Sequence, residues 1–356
     1  MGARLAGSIL FSAAILAQTP NRGCGDLPAT RPEHINALAH AGLTLSHEGR
    51  YAAAADCYRK VLAIDPNIPA IQIDLGLAEF KAGRFRDAIA PFNAAVSLQP
   101  DNFQARSLLG MAYFGARMYA DAARHLEIAL AQQPQNAQLR FNLAQSLVFS
   151  NQFERALNEF DALRKSDPDS VPVHVLLAEA LDGLSRQDEA IAELRAALVK
   201  SPSEPNLHFG IGYIYWTQHK DDEAEREFEM EAKRDPANAQ AWAWLGDIQL
   251  RRNDGRKARP LIEKALALDA RIRIAHFDLG ILLAQDGQYA GAIRELKEAI
   301  RLDPDRTDAH YRLARVYRDA GKAAEANAEL DIVKQLRDKK EDSLMKVTNK
   351  PPATNP

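Results

Sequence analysis

FQARSLLGMAYFGARMYADAARHLEIALAQQPQN, residues Phe103 to Asn136, holds two stretches in which apolar side chains return every three or four residues. That spacing is the period of a helix burying one face. The polar Arg117 parts the two stretches and Pro134 closes the second. The same pattern recurs along most of the chain. Prolines stand at Pro66, Pro100, Pro134, Pro168, Pro202 and Pro236; the series passes over Ala270 and returns at Pro304, every interval being 34 residues or a multiple of it. With the proline as the thirty-second position, nine repeats tile residues 35–340: 35–68, 69–102, 103–136, 137–170, 171–204, 205–238, 239–272, 273–306 and 307–340.

Other positions keep the same register. The twentieth is alanine throughout, at Ala54, Ala88, Ala122, Ala156, Ala190, Ala224, Ala258, Ala292 and Ala326. The eighth is always small, as at Gly42, Gly76, Ala144 and Gly246, while the twenty-fourth is large and apolar, as at Tyr58, Phe92, Phe160 and Ile262. A Gly or polar break near the fifteenth position, such as Gly49, Gly83, Gly287 or Gly321, separates two helical stretches. Each repeat therefore reads as helix, tight turn, helix. Small residues let the two backbones approach, large ones fill the space beside them, and the proline ends the second helix because its ring cannot continue the hydrogen-bond ladder. Thr30 and Glu33 around Pro32 are expected to act as a capping box starting the first helix near residue 31.

Composition agrees. Of 356 residues 46% are hydrophobic but only 7% aromatic, so the apolar content is aliphatic and alanine-rich, which favours helix. The 45 basic and 48 acidic side chains leave a net charge of −3, which argues against a nucleic-acid partner held by excess positive charge. With 19 Gly and 18 Pro the chain is neither collagen-like nor disordered in bulk.

The N-terminus reads as an address. Arg4 precedes an uncharged apolar run, Leu5 to Ala17, and Ala17 before Gln18 offers a cleavage point, so residues 1–17 are expected to be a secretory signal peptide and 18–34 a linker entering the first helix. The run is too short for an ordinary spanning helix, and no other stretch of the chain is apolar enough to cross a bilayer. The expected location is periplasmic or secreted, with an uncleaved N-terminal membrane anchor as the alternative. An oxidising compartment would allow Cys24 and Cys57 to pair; two unpaired thiols are the other reading. At the other end, 341–356 is polar and contains Pro351, Pro352 and Pro356, which predicts a disordered tail after a last helix ended by the charged Arg337–Asp342 stretch.

Over 35–340 the sequence resembles the tetratricopeptide repeat family. Trp242, Leu245, Gly246 and Ala258 carry the likeness in the seventh repeat, Tyr113, Tyr119 and Ala122 in the third. The resemblance implies an all-α fold, a right-handed α-solenoid of stacked helix pairs whose first helices line a concave groove that takes partners. Departures are Ala270 and Asp338 in place of proline, Glu231 at the usually small twenty-seventh position, and Pro91 and Pro260 inside second helices, which should bend there. The junction of the sixth and seventh repeats is the weakest match.

Carrying over the family's groove positions selects Ile73, Leu77 and Phe80; Met111 and Phe114; Phe141 and Val148; Phe209, Tyr213 and Trp216; and Trp244, Phe277, Ile281 and Tyr311. Each single residue reads equally well as core, but as a set they form an apolar partner-binding wall. Relatives that clamp chaperone carboxylates need Lys and Asn where Ala39 and Leu43 stand, so that ligand is rejected. Glu179 and Asp182 face the middle of the groove and Arg312, Arg315 and Arg318 its end, which could orient a ligand; solvated faces are the plainer reading.

Chemistry is sparse. His47-Glu48 has Tyr51 where a zinc protease needs its second histidine, and Gly210 and Gly212 lack the third glycine of a dinucleotide loop. His174, His208, His276 and His310 share the fourth position of their repeats, but neighbouring repeats lie about 10 Å apart, too far for one metal ion. They are read as packing. No metal site, cofactor or catalytic residue is expected. The sequence points to a non-catalytic scaffold binding an apolar or amphipathic protein segment, with a carbohydrate- or lipid-binding module using the groove aromatics as the alternative and self-association through the open ends also allowed.

Overall fold

In a computed structural model of the chain, Cys24 and residues 34–348 are described, and the regular structure among them is helical. The helices fall into two compact halves divided between Ala190 and Ile191. The first half holds α1 (Ile35–His47), α2 (Tyr51–Ile64), α3 (Pro69–Lys81), α4 (Phe85–Leu98), α5 (Phe103–Gly115), α6 (Tyr119–Gln132), α7 (Ala137–Phe149), α8 (Phe153–Ser166) and α9 (Val171–Gly183). Helix α10 (Gln187–Lys200) contains the dividing point. The second half continues with α11 (Leu207–Thr217), α12 (Asp221–Arg234), α13 (Ala239–Arg251), α14 (Gly255–Leu268), α15 (Arg273–Gln285), α16 (Tyr289–Leu302), α17 (Thr307–Asp319) and α18 (Ala323–Thr348). Odd-numbered helices are the first of each repeat and even-numbered ones the second, the layout of an α-solenoid.

All nine turns between paired helices are built alike. The fifteenth residue has positive φ, whether it is Gly49, Gly83, Gly287 or Gly321, or the non-glycine Arg117, Asn151, Ser185, His219 or Asn253. The next N–H donates back to the carbonyl five residues earlier, as from Met118 to Tyr113 at 2.9 Å and from Gln152 to Leu147 at 2.8 Å. This satisfies carbonyls that the helix end leaves open. Several first helices are started by a side chain: Asn102, Asn136 and Asn238 each accept from a backbone N–H three residues on, at 2.9, 3.0 and 3.1 Å.

Within a repeat the large twenty-fourth residue sits directly on the small eighth one. A Cβ added to Gly76 would lie 2.6 Å from the Phe92 ring, and one on Gly280 would lie 2.7 Å from Leu296. Phe92, Phe160, Phe228 and Leu296 are completely buried, as are all the twentieth-position alanines apart from a trace of exposure at Ala326. Burying such a side chain is worth roughly 2–3 kcal/mol, so the pairing of a small eighth with a large twenty-fourth residue supplies much of the core of the repeats before the last, where Leu330 is 42% exposed.

Second helices stop at the thirtieth residue even where proline is missing. At Ala270 the helix still ends at Leu268, because the Asp269 side chain accepts from Arg271 N at 2.9 Å and turns the chain. The same Asx turn backs the proline at Asp65 and Asp235. At the ninth repeat both devices are gone, since Arg337 and Asp338 stand where the turn aspartate and the proline would be. The helix expected to end in that charged stretch, and the tail expected to be disordered from 341, are therefore corrected: α18 runs on to Thr348. Residues 349–356 lie outside the described residues, as do the expected signal peptide, the capping box and the linker except Cys24 and His34. Pro91 and Pro260 lie within continuous helices, α4 and α14.

Two buried acids hold irregular places together. Glu79 in α3 is ion-paired with both Arg59 and Arg84. Glu231, the departure at the twenty-seventh position, is wholly buried and caps a helix that starts late. Asn206 has φ +65°, α11 begins only at Leu207, and Glu231 accepts from the N–H groups of Asn206 and Phe209 at 3.2 and 3.4 Å while pairing with Arg234. The irregularity thus sits at the entry of the sixth repeat, with the compensating charge supplied by its second helix. Cys24 and Cys57 are joined in a disulfide, their Cα atoms 5.3 Å apart, which ties the segment before α1 to α2.

Candidate functional site

The first helices of the two halves use their aromatic residues differently. In the first half Ile73 (9% exposed) and Val148 (2%) belong to the core, which corrects their assignment to a partner-binding wall. Ile73 shares the fifth position with the fully buried Ala243, whereas Tyr311 at the same position is 51% exposed, so register alone does not decide burial there. Leu77, Phe80, Met111, Phe114 and Phe141 are half-buried. Phe80 meets Phe85 edge-on at 5.1 Å, while Phe114, Tyr119 and Phe149 form a triangle with 5.2–5.9 Å between centroids. Phe85 also lies against Gly115, where a Cβ would come within 2.5 Å of its ring. These rings pack repeat against repeat.

The second half gathers a different cluster. Trp216 on α11 and Trp244 on α13 meet edge-on at 4.4 Å; Tyr213 lies 6.0 Å from Trp216 and 5.4 Å from Trp244. Tyr213 is 38% exposed, whereas Phe209 turns to the buried Phe228 at 5.5 Å. Phe277 and Ile281 on α15 are half-buried and Tyr311 on α17 is 51% exposed. The cluster is wired to charge. Trp216 Nε1 donates to Asp247 Oδ2 at 2.6 Å, and the Arg251 guanidinium lies 5.2 Å from the Trp216 ring centroid while pairing with Asp221 at 3.2 Å. Burial pushes the Asp247 carboxyl above the usual carboxylate range, an effect the tryptophan hydrogen bond partly offsets. Asp278, on the next first helix, is 1% exposed with neither carboxylate oxygen partnered. Burial, and then the charge of Asp247, push its carboxyl well above the usual range; Arg273 and Arg312 oppose that shift. Asp247, Arg251 and Asp278 were not selected from the sequence. The available signal was an acid at the ninth position of one repeat and the sixth of the next, on an otherwise apolar face.

The fourth position has a single explanation. His174, His276 and His310 each place Nε2 on the carbonyl six residues earlier, at 3.2, 2.9 and 3.3 Å. Gln72, Arg106, Arg140 and Trp242 donate to the equivalent carbonyls at 2.7–2.9 Å. The Nδ1 atoms of His208, His276 and His310 reach Glu227, Glu295 and Glu329 at 2.6–2.8 Å. From the second repeat on, the position holds a side chain able to bridge the turn that enters the repeat. His208, at the late-starting α11, contacts Glu227 in the same way.

A cavity of about 620 Å³ opens between α12 and α14, floored by Trp242, Leu245 and Gln249 of α13. Its Glu225 is held by Gln249 and Arg252, and the Lys264 ammonium covers the Trp242 ring at 3.3 Å from the centroid. Those groups are committed to one another, so the Trp216–Trp244 face is the stronger candidate. Among the described residues no group of three metal-ligating side chains gathers at either place, and no helix is long and apolar enough to cross a membrane.

Comparison with known proteins agrees with this geometry. Family models described as tetratricopeptide repeat match residues 35–68, 73–137, 113–181, 209–271, 249–305 and 283–343. The TPR repeat-containing thioredoxin TTL4 of Arabidopsis thaliana is 30% identical over 93 residues, 26% of this chain and 14% of that relative's length. A tetratricopeptide repeat protein from Parabacteroides merdae is similar in structure, with a TM-score of 0.56 at 15% identity over 70% of this chain and 99% of its own. The Cut9–Hcn1 hetero-tetramer of the APC/C gives 0.56 at 13% identity over 86% of this chain and 76% of that one. Pseudomonas aeruginosa pilF gives 0.50 at 17% identity, covering 56% and 91%. At these identities the structures show a shared fold.

Proposed function

The chain belongs to the tetratricopeptide repeat family, and from that premise we propose that it is a non-catalytic scaffold outside the cytoplasm, holding an apolar or amphipathic segment of a partner protein on the first-helix face of its second half. Proteins of this fold serve protein–protein interaction in general. The observation that carries the finer reading is the Tyr213–Trp216–Trp244 cluster, three large rings gathered from two neighbouring first helices, with Tyr213 38% exposed and both tryptophans half-buried. Rigid aromatic side chains held by polar neighbours are the residues that dominate interface energies. An extended or helical segment laying apolar anchors on such a face is a common mode of peptide capture. The location is supported by the apolar run Leu5–Ala17 and by the Cys24–Cys57 disulfide, a bond that persists outside reducing compartments.

The test is selection of a displayed 12-residue peptide library on the full chain, read by enrichment and by tryptophan fluorescence. Enriched peptides are expected to change the emission and to lose at least ~10-fold in affinity (about 1.4 kcal/mol) against a Trp216→Ala, Trp244→Ala variant of unchanged circular dichroism. Equal binding to both forms would remove this face from consideration. Emission changes produced by soluble glycan or lipid, with no peptide enriched, would move the reading to a carbohydrate- or lipid-binding module. The location is checked by thiol labelling before and after reduction of protein taken from intact cells; two thiols free before reduction would contradict it.

A further inference from the structure

Three buried acids can be compared within this one chain. Glu79 is paired with two arginines, and Glu231 with an arginine and two backbone N–H groups. Asp278 is buried as deeply with both oxygens unpartnered. Leaving a carboxyl group without a donor in the interior is expensive, and the fold supplies donors at the other two sites. Of the cations near Asp278, Arg273 pairs with Asp308 and lies 5.5 Å from the Phe277 centroid, and neither it nor Arg312 of α17 donates a hydrogen bond to Asp278. Asp278 occupies the sixth position of its repeat, the register that Trp244 holds one repeat earlier, and Asp247 joins the two by holding Trp216.

Resting on the reading of this face as a peptide site, we propose that Asp278, together with Asp247, is the acceptor for one Lys or Arg side chain of the bound segment, whose stem lies along Trp216 and Trp244. A metal ion is the weaker match for two carboxylates, since no third ligating side chain joins them among the described residues. An ammonium or guanidinium supplies the missing donors and meets aromatic faces suited to a cation. Both Asp278 oxygens are closed to solvent, so the cation reaches them only as neighbouring side chains move. The groups acting on Asp278 are Asp247 from α13, Arg273 on its own α15, and Asp308 and Arg312 from α17. That setting raises the Asp278 pKa, and the ionised carboxylate is the form that takes the cation, so binding strengthens as pH rises.

The experiment uses the same 12-residue library on the full chain, with Asp278→Asn alongside. The native chain is expected to enrich peptides with one Lys or Arg at a fixed spacing from apolar anchors, and Asp278→Asn to lose that preference. Replacing the peptide arginine by citrulline, or lysine by norleucine, should weaken binding to the native chain at least ~10-fold, the scale of a lost charge-assisted contact. This holds whatever the fate of the protein variant. Calorimetry in buffers of different ionisation enthalpy should show more proton release with the arginine peptide than with its citrulline twin. Peptides enriched without a fixed cation would leave the peptide-binding face standing and overturn the cation acceptor. If no peptide is enriched, both readings fail.

Discussion

In the half that ends at Ala190, Glu79 lies between the guanidinium groups of Arg59 and Arg84, and Phe114, Tyr119 and Phe149 close on one another. In the half that begins at Ile191, Asp278 is buried without a partner, and Trp216 and Trp244 sit half-open with Asp247 and Arg251 attached. The same helical register is used in both. Comparison of Glu79 with Asp278 sets a buried charge answered from inside the fold, as Glu231 also is in the second half, against a buried carboxyl whose oxygens have no donor. The disulfide sharpens the contrast, because only the first half carries one.

Removing that disulfide should have the largest effect. The bond links residues 33 positions apart, and closing a loop of that size stabilises by about 3–4 kcal/mol in the chain-entropy account. Cys57→Ser is expected to lower the stability of α1 and α2 by that order, read by hydrogen exchange along the chain, with protection of α13 to α16 unchanged. Equal loss in both halves would mean that they unfold as one body and that the comparison is not one of separate units.

Next comes an amide-for-carboxylate exchange whose sign should differ between halves. Glu79→Gln removes the buried carboxylate that two arginines share, leaving Arg59 with Asp56 and Arg84 with Asp87. A buried pair broken from one side loses several kcal/mol, but Arg59 is half-exposed and Arg84 about a third exposed, so about 2 kcal/mol is the expected loss at neutral pH. Asp278→Asn should do the opposite. A carboxyl raised in the folded state contributes stability that is complete below the unfolded-state pKa and is lost as pH rises through the folded-state value. Each unit between the two is worth about 1.4 kcal/mol. The Asn variant should therefore match or trail the native chain near pH 4 and exceed it near pH 8, with urea midpoints as the readout. A native chain more stable at pH 8 than at pH 4 through this residue would show that Asp278 has an internal partner after all.

Much of this was legible in the sequence, for identifiable reasons. Proline at the thirty-second position, alanine at the twentieth and a small eighth residue are each forced by backbone geometry or close approach, so the repeat shows through every substitution elsewhere. The end of α18 is not legible from the charge of its segment, because what decides it is the joint loss of two stop devices, the proline and the Asp turn before it, at 337 and 338. Ile73 and Val148 were misassigned because register alone does not say how far a side chain reaches. The tryptophans stand out in the sequence by residue type, while Asp247 and Asp278 do not. An isolated acid on a helix face reads as solvated, and only packing reveals that water has been excluded.

The smallest expected effect tests whether the shared turn is equally strained in both halves. At Gly287, in the second half, φ is +73° and a Cβ would meet nothing within 4 Å, so Gly287→Ala carries only the dihedral penalty of an L-residue in the left-handed region, about 1 kcal/mol. Arg117, in the first half, already bears that penalty at φ +61°. Arg117→Gly should recover it, less the entropy that glycine loses on folding, leaving a gain of about 0.5 kcal/mol. Opposite signs of similar size, measured by thermal unfolding, would show that the turn is fixed by its backbone hydrogen bonds and that glycine there is a convenience. A loss at Arg117→Gly would instead mean that the arginine side chain makes a contact holding its turn, and that the turns of the two halves are not equivalent.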